Sequence, residues 1–246
     1  MGSGRVGDGA DVGGRSTGEV QPVSGTPDRK RAQPAGEPRP DGTSPIRRVR
    51  VRVLGTPVIE AVPAGQHVRP QALEFLTYLV VRGGSAYQDE LFDDLMPEPP
   101  RRLAAQRLHT YTYNLRQTFT MIGGVRPYVL LRRHRYTLAE DAFDVDLWSL
   151  RDAITQAATR DGPARTVALR RVVDLYRGPL AQDTSYLWVD AYRQAVRRDY
   201  VNAAVALANE LKGRPERAAK VLEAAGRHHP DDEVLAAAVA HIGISV

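Results

Sequence analysis

The 246-residue sequence predicts an α+β domain, built from a small N-terminal sheet, three helices and a C-terminal hairpin, followed by an all-α domain. Three observations carry this prediction. Strand patterns and helical patterns succeed one another in residues 48–140, whereas residues 141–246 show almost only the three-to-four-residue spacing of helices. Residues 1–47 are poor in aliphatic side chains, and such a segment cannot bury enough apolar surface to offset its ordering entropy. We therefore expect residues 1–47 to be a disordered tail or linker, and the chain to be the C-terminal part of a longer protein.

Composition excludes several classes of protein. The chain has no cysteine, which excludes disulfides, thiolate metal sites and cysteine nucleophiles. It has no run of about 18 apolar residues and no secretory signal, so we expect a cytoplasmic chain without a membrane partner. The sequence contains no nucleophile elbow, zinc-protease motif or nucleotide-binding loop. We therefore expect no enzymatic activity, no cofactor and no metal.

The N-terminal sheet is predicted from alternation. Val49, Val51 and Val53 alternate with arginines, as in a half-buried strand. A second strand over residues 58–62 and a third short strand around residues 66–69 follow, separated by turns that contain Gly and Pro.

Two helices come next. Pro70 occupies a favoured first-turn position, and Gly83-Gly84 ends the first helix. Residues 85–88 fit a capping box for a second helix, which runs to about residue 95.

The stretch 101–135 is the most informative part of the sequence. Residues 49–140 carry 12 basic and 8 acidic side chains, and within 101–135 there is no Asp or Glu at all. Clustered arginines repel one another unless an anion lies between them. This stretch therefore indicates a phosphate-binding surface. Its basic residues are Arg101, Arg102, Arg107, Arg116, Arg126, Arg132, Arg133 and Arg135.

Residues 102–120 are predicted to form a helix with two different faces. The apolar stripe comprises Ala104, Leu108, Tyr111, Leu115, Phe119 and Ile122. The opposite face comprises Arg102, Gln106, His109, Thr110, Tyr113 and Gln117. Residues 127–138 are predicted to form a hairpin with a cationic tip. A polar, cationic helix followed by a basic hairpin is the arrangement that a winged helix offers to DNA.

The second half is predicted to be helical from Asp144 onward, with helices over residues 147–159, from 163, 186–211, 216–228 and 232–241. The spacing of Gly213, Ala218, Ala225 and Pro230 matches the second half of a tetratricopeptide repeat. A stack of antiparallel helix pairs is the more general alternative.

Both halves together resemble the streptomycete antibiotic regulatory protein family, in which an OmpR-like winged-helix DNA-binding domain precedes a bacterial transcriptional activator domain. In residues 48–140 the resemblance rests on Val51 to Gly55, Leu76 to Leu79, Asp89 to Leu91, Asp94-Leu95, Leu108 to Tyr111, Asn114 to Arg116 and Tyr136 to Leu138. In residues 141–246 it rests on Val145 to Trp148, Leu175 to Leu180, Trp188-Val189, Arg193, Tyr200 and Ala208. Met96 and Arg135 stand where the family usually has tryptophan and glycine.

This resemblance implies a sequence-specific, actinobacterial transcriptional activator. Gln106, His109, Thr110, Tyr113 and Gln117 would face the major groove of promoter DNA. Arg102 and Arg116 would hold phosphates, and Arg132, Arg133 and Arg135 would place the wing against the minor groove or backbone. RNA polymerase and a second copy of the chain, on direct repeats, are further candidate partners.

Other interpretations remain open. The helix face and the hairpin can be ordinary solvated surfaces, and the whole chain can be a helical interaction scaffold whose winged helix binds protein. His228-His229 invites a metal interpretation, but adjacent histidines on a helix diverge by about 100° and chelate poorly. We expect a helix end there, and we expect Asp146 to be a helix cap.

Overall fold

The structure is a computed structural model that describes residues 47–242, so all of the predicted tail (residues 1–47) except its last residue lies outside the described residues. The first half contains strands β1 (Val49–Arg52) and β2 (Val58–Ile59), helix α1 (Pro70–Val81), strand β3 (Ser85–Tyr87), helices α2 (Gln88–Leu95) and α3 (Arg101–Gly123), and strands β4 (Val129–Arg132) and β5 (Arg135–Leu138). The second half contains strand β6 (Phe143–Val145) and helices α4 (Asp146–Thr159), α5 (Gly162–Leu175), α6 (Asp190–Glu210), α7 (Pro215–His228) and α8 (Glu233–Ile242). None of the helices in this part of the chain combines the length and the apolarity that crossing a bilayer requires.

The first sheet has the order β2-β1-β6, so its third strand comes from beyond the hairpin. β6 pairs with β1 in parallel, with Val51 opposite Val145. The strand predicted around residues 66–69 is wrong. Its backbone is instead bound by the side chain of Asn114, which accepts from the Arg69 N–H at 3.0 Å and donates to the His67 carbonyl at 3.0 Å.

The second sheet has the order β3-β5-β4. The predicted capping box over residues 85–88 is wrong, because Ser85 lies in β3 and pairs with Thr137. Helix α2 begins at Gln88 instead, and the Glu90 carboxylate accepts the Tyr87 N–H at 2.7 Å. The capping box therefore begins at Tyr87, two residues later than predicted, because Ser85 is part of the short strand β3.

The first core lies between α1, α3 and the hairpin sheet. Tyr136 of β5 packs edge-on against Phe75 of α1, with ring centroids 5.3 Å apart. On α3, Ala104, Leu108, Leu115 and Phe119 are buried as predicted. The buried stripe also includes Thr112 and Thr118, whereas Tyr111 and Ile122 are only half-buried.

The helices of the second half pack each on the next, from α4 to α8. Ala218, Leu222 and Ala225 form the buried face of α7, and small side chains there let neighbouring helices approach closely. Consecutive packing agrees with the predicted helix stack, and the tetratricopeptide assignment stays a prediction.

The two halves share their packing. Trp148 Nε1 donates to the Val80 carbonyl at 2.9 Å, and Trp188 Nε1 donates to Glu74 at 3.1 Å. Leu180 forms an isolated bridge with Leu54. All described residues belong to one compact unit, and the boundary predicted at residue 140 stays a prediction.

Candidate nucleic-acid interface

Helix α3 presents a continuous exposed polar face. Pro97, Pro99 and Pro100 separate it from α2, and it then runs for 23 residues without an acidic side chain. We call the exposed set Arg102, Gln106, His109, Thr110, Tyr113 and Gln117 the polar face of α3, and every one of these residues is exposed as predicted. Tyr113 is the most exposed aromatic on the helix, at 63%.

Two side chains of the polar face form a pair one turn apart. Gln117 Nε2 donates a hydrogen bond to the Tyr113 hydroxyl at 2.7 Å. This bond leaves the Gln117 carbonyl oxygen and its second N–H available, together with the Tyr113 O–H as a donor. An amide with one free donor and one free acceptor can bond an adenine edge in two places.

Thr110 turns its hydroxyl back toward the helix. Its Oγ1 donates to the Gln106 carbonyl at 3.1 Å, so its methyl group is the part left for a partner. A methyl group in a major groove can contact the methyl group of thymine.

Arg116 has a structural contact that the sequence does not reveal. Its Nε donates to the Val129 carbonyl at 3.1 Å, and its Nη2 donates to the same oxygen. The guanidinium therefore holds the start of β4 against α3. The phosphate contact inferred for Arg116 stays a prediction, as does that of Arg102.

The hairpin tip is a two-residue turn formed by Arg133 and His134, with φ of 47° and 60°. Two consecutive positive φ values define a type I′ turn, which usually needs Asn or Gly. The tip is also attached to α2, because the Gln88 N–H donates to the His134 carbonyl at 2.7 Å. The turn therefore forms although Arg135 stands, next to it, where the resembled family usually has glycine.

The structure separates the three wing arginines. Arg133 lies in the turn, whereas Arg132 and Arg135 are paired directly opposite each other in β4 and β5. Directly opposite residues share a face of the sheet, and Tyr87 of β3 completes the row. Arg135 places its guanidinium over the Tyr87 ring, 5.3 Å from the centroid, and donates to Ser85 Oγ at 2.6 Å. This row is on the opposite sheet face from the buried Tyr136, because neighbouring strand residues alternate.

Tertiary contacts neutralise part of the basic stretch. Arg101 pairs with Asp89 and Asp93 of α2, and Arg126 pairs with Asp141. Within residues 47–242, no carboxylate lies within 4 Å of the remaining arginines of this stretch, including the exposed Arg107, which sequence reasoning did not assign to the site. The only signal for Arg107 was its membership of the acid-free stretch.

Two carboxylates at the start of the helical half, Asp144 and Asp146, have structural partners. Asp144 forms an ion pair with Arg50. Asp146 is the first residue of α4, and its carboxylate accepts the N–H groups of Val53 and Leu54 at the end of β1, which corrects the simple cap assignment. Burial raises the pKa of Asp146 and the backbone hydrogen bonds lower it, with a net upward shift.

Helix α7 ends at His228 as predicted, and the ring of the next residue, His229, is buried. Its Nε2 shares a hydrogen bond of 2.7 Å with the Tyr176 hydroxyl, and Tyr176 stacks on Tyr200 at 3.8 Å. Burial lowers the pKa of His229. Among the described residues no cluster of three His, Asp or Glu could hold a metal ion.

Comparisons with known proteins give one family match and one structural match. Residues 144–241 match the family model of the bacterial transcriptional activator domain. Among solved structures, the fold resembles that of Mycobacterium tuberculosis EmbR in complex with a low affinity phosphopeptide. That match has a TM-score of 0.63 and 24% sequence identity, and it covers 79% of this chain and 54% of the EmbR chain. The chain therefore spans about half the length of that protein. No curated protein sequence matches the chain.

Proposed function

We propose that the chain is a sequence-specific DNA-binding transcriptional regulator, starting from the match of residues 144–241 to a transcriptional activator domain. In this proposal residues 48–140 are an OmpR-like winged helix. Helix α3 enters the major groove, and the β4–β5 hairpin lies on the minor groove or backbone. The chain works in the cytoplasm, activates transcription and catalyses no reaction.

The polar face of α3 carries this proposal. A helix of 23 residues without a carboxylate presents amide, hydroxyl and imidazole groups to solvent, flanked by Arg102 and Arg107. Base edges are read by such hydrogen-bonding groups, whereas phosphates are held by the flanking cations. A carboxylate on this face would be repelled by the phosphate backbone, and its absence over the whole helix favours DNA over a basic protein partner.

The hairpin supports a second contact. Its tip carries Arg133 in a turn of fixed geometry, attached to the start of α2 through His134. A rigid cationic tip can contact a phosphate without losing much conformational entropy on binding. Arg132 and Arg135 lie on the outer face of the hairpin sheet, so we assign the backbone contact to Arg133 first.

The helical half is proposed to act after DNA is bound. Direct contacts such as Trp148 to Val80 fix α4 against the end of α1. A partner held by α5 to α8, whether RNA polymerase or a second copy of the chain, would then have a defined position relative to the promoter. A second copy would place two winged helices on a direct repeat.

Selection from a random-duplex library at near-physiological salt tests this function. The purified chain should enrich one motif, and a spaced direct repeat would add the proposed dimer. A well-folded chain that enriches no motif would contradict the proposal and favour the protein-binding scaffold. The scaffold also lacks the steep salt dependence that phosphate contacts impose.

A further inference from the structure

We propose that the cleft between the hairpin sheet and the helical half binds a small phosphomonoester. The cleft has a volume of about 430 Å³ and is broadly open to solvent. Its polar side chains come from both halves. The first half contributes Arg82, Ser85, Tyr87, Glu90 and Arg135, and the second contributes Arg151 and Tyr192. This proposal is independent of the proposed DNA binding.

The cleft carries uncompensated positive charge. Arg82 is paired with Glu90, so these two side chains cancel. No carboxylate within residues 47–242 lies within 4 Å of Arg135 or Arg151. Asp199 influences Arg151 from farther away and does not line the cleft. Arg135 and Arg151 therefore line the same cleft, and neither has a carboxylate of the described residues within ion-pair distance.

Both guanidinium groups are held in place before any ligand arrives. Arg135 is held by Ser85 Oγ and by the Tyr87 ring. Arg151 is half-buried, and its Nη1 donates to the Val81 carbonyl at 3.0 Å. A guanidinium has five N–H donors, so each group keeps several for a ligand. Because Arg151 is half-buried, water solvates its charge incompletely, and this burial lowers its pKa.

A phosphomonoester fits this arrangement better than other anions. At neutral pH it carries roughly two negative charges and three strong acceptor oxygens, so it matches two guanidinium groups. A phosphate of duplex DNA carries a single charge. The volume falls in the range of about 300–1,000 Å³ typical of small-molecule sites. Tyr87 and Tyr192 also line the cleft, so aromatic side chains are available to contact the rest of the ligand.

A ligand in this cleft would connect the two halves. It would contact Arg135 on β5, next to the hairpin turn, and Arg151 on α4 at the same time. Binding would therefore restrain the hairpin relative to the helical half, and the hairpin is one of the surfaces proposed to contact DNA.

Calorimetric titration and thermal unfolding of the full chain test the proposal with three probes and one control. The probes are inorganic phosphate, ribose 5-phosphate and adenosine 5′-monophosphate, and the control is adenosine. We expect saturable heats and a raised Tm with at least one of the phosphomonoesters, and neither effect with adenosine. Arg135→Gln and Arg151→Gln should each weaken that binding by about tenfold or more, because each removes a charge-assisted hydrogen bond.

Matched variants distinguish binding from general charge effects. Arg160→Gln removes an exposed arginine outside the cleft and should leave the affinity unchanged. Arg135→Gln lies on an exposed strand, so it keeps the test valid if Arg151→Gln impairs folding. The proposal is overturned if none of the probes binds at millimolar concentration, or if both variants bind as well as the parent chain. The proposal would also be overturned if both variants lost duplex binding but kept phosphomonoester binding, since the two arginines would then belong to the DNA surface.

Discussion

The carboxylate of Asp146 accepts hydrogen bonds from the backbone N–H group of Val53, at 3.0 and 3.1 Å, across 93 residues of sequence. Leu54 donates to the same carboxylate at 3.0 Å, and so does the following residue, Leu147, at 2.7 Å. The side chain thus joins the end of β1 to the start of α4. Because these donors are backbone groups that lose water on folding, the carboxylate satisfies several of them at once.

Asp146→Asn should lower the free energy of unfolding by about 1–3 kcal/mol. The amide replaces one acceptor oxygen by an NH₂ group, which places donor against donor at the end of β1. Urea unfolding of both proteins measures the difference. Asp144→Asn is the matched control, because Asp144 forms only an exposed ion pair with Arg50 and should cost about 0–1 kcal/mol. Equal losses in the two variants would contradict the assigned role of Asp146.

His134→Gly should stabilise the hairpin. His134 has a φ of 60°, and a non-glycine residue in this region costs about 1–2 kcal/mol. Glycine removes that cost, although it also increases the entropy of the unfolded chain, so we expect a net gain below about 1 kcal/mol in urea unfolding. Arg132→Gly, in the neighbouring strand, should instead destabilise the fold. A loss of stability in His134→Gly as large as that in Arg132→Gly would contradict the strained-turn assignment.

Tyr113→Ala should relax the DNA sequence preference. The variant removes the hydroxyl that orients the Gln117 amide, and a well-placed bidentate amide contributes about 1–3 kcal/mol of discrimination between bases. Library selection with the variant should therefore yield a motif that has lost information at one or two adjacent positions. Tyr113→Phe isolates the hydroxyl. Met121→Ala, a substitution of another exposed residue of α3, should leave the motif intact, and a motif unchanged by Tyr113→Ala would contradict the docking proposed for α3.

Arg133→Ala should weaken binding to all duplexes alike. With about six phosphate contacts, the logarithm of affinity should fall with a slope of about −5 against the logarithm of salt concentration, and the variant should reduce that slope by about 1. Binding curves at several salt concentrations measure it. Arg198→Ala removes the same charge from an exposed position on α6 and should leave the slope unchanged. If both variants change the slope equally, Arg133 makes no specific phosphate contact.

Acidification should destabilise the fold through His229. Burial lowers the pKa of His229 in the folded state, and the nearby Arg197 and His228 lower it further. As the pH falls below about 6.5, His229 becomes protonated in the unfolded chain but stays neutral in the folded chain. The free energy of unfolding therefore decreases until the pH reaches the pKa of His229 in the folded state. Urea unfolding at several pH values between about 8 and 5 measures how steeply the free energy of unfolding falls with pH. This slope should be shallower in His229→Gln than in the parent chain. His241→Gln, at an exposed position of α8, should follow the parent curve.

Local patterns along the chain were enough to predict the helices, the hairpin and the polar face of α3. The periodicity of Leu108, Leu115 and Phe119 decides which side of α3 is buried, and the opposite side is exposed as a geometric consequence. The spacing of apolar residues from Asp144 onward likewise sufficed to predict a stack of helices, since local spacing and helix-ending residues are properties of short segments.

Features that depend on residues distant in the chain became visible only in the folded protein. The tertiary structure replaced the predicted strand at residues 66–69 by β6 as the third strand, because pairing with β1 satisfies backbone groups that sequence proximity does not reveal. Tertiary packing also pairs Arg101 with Asp89 and Arg126 with Asp141, two carboxylates from outside the acid-free stretch 101–135. It also decided that Arg135 lines a cleft together with Arg151, because strand alternation fixes the sheet face of a residue and the packing of the second half decides what lies above that face.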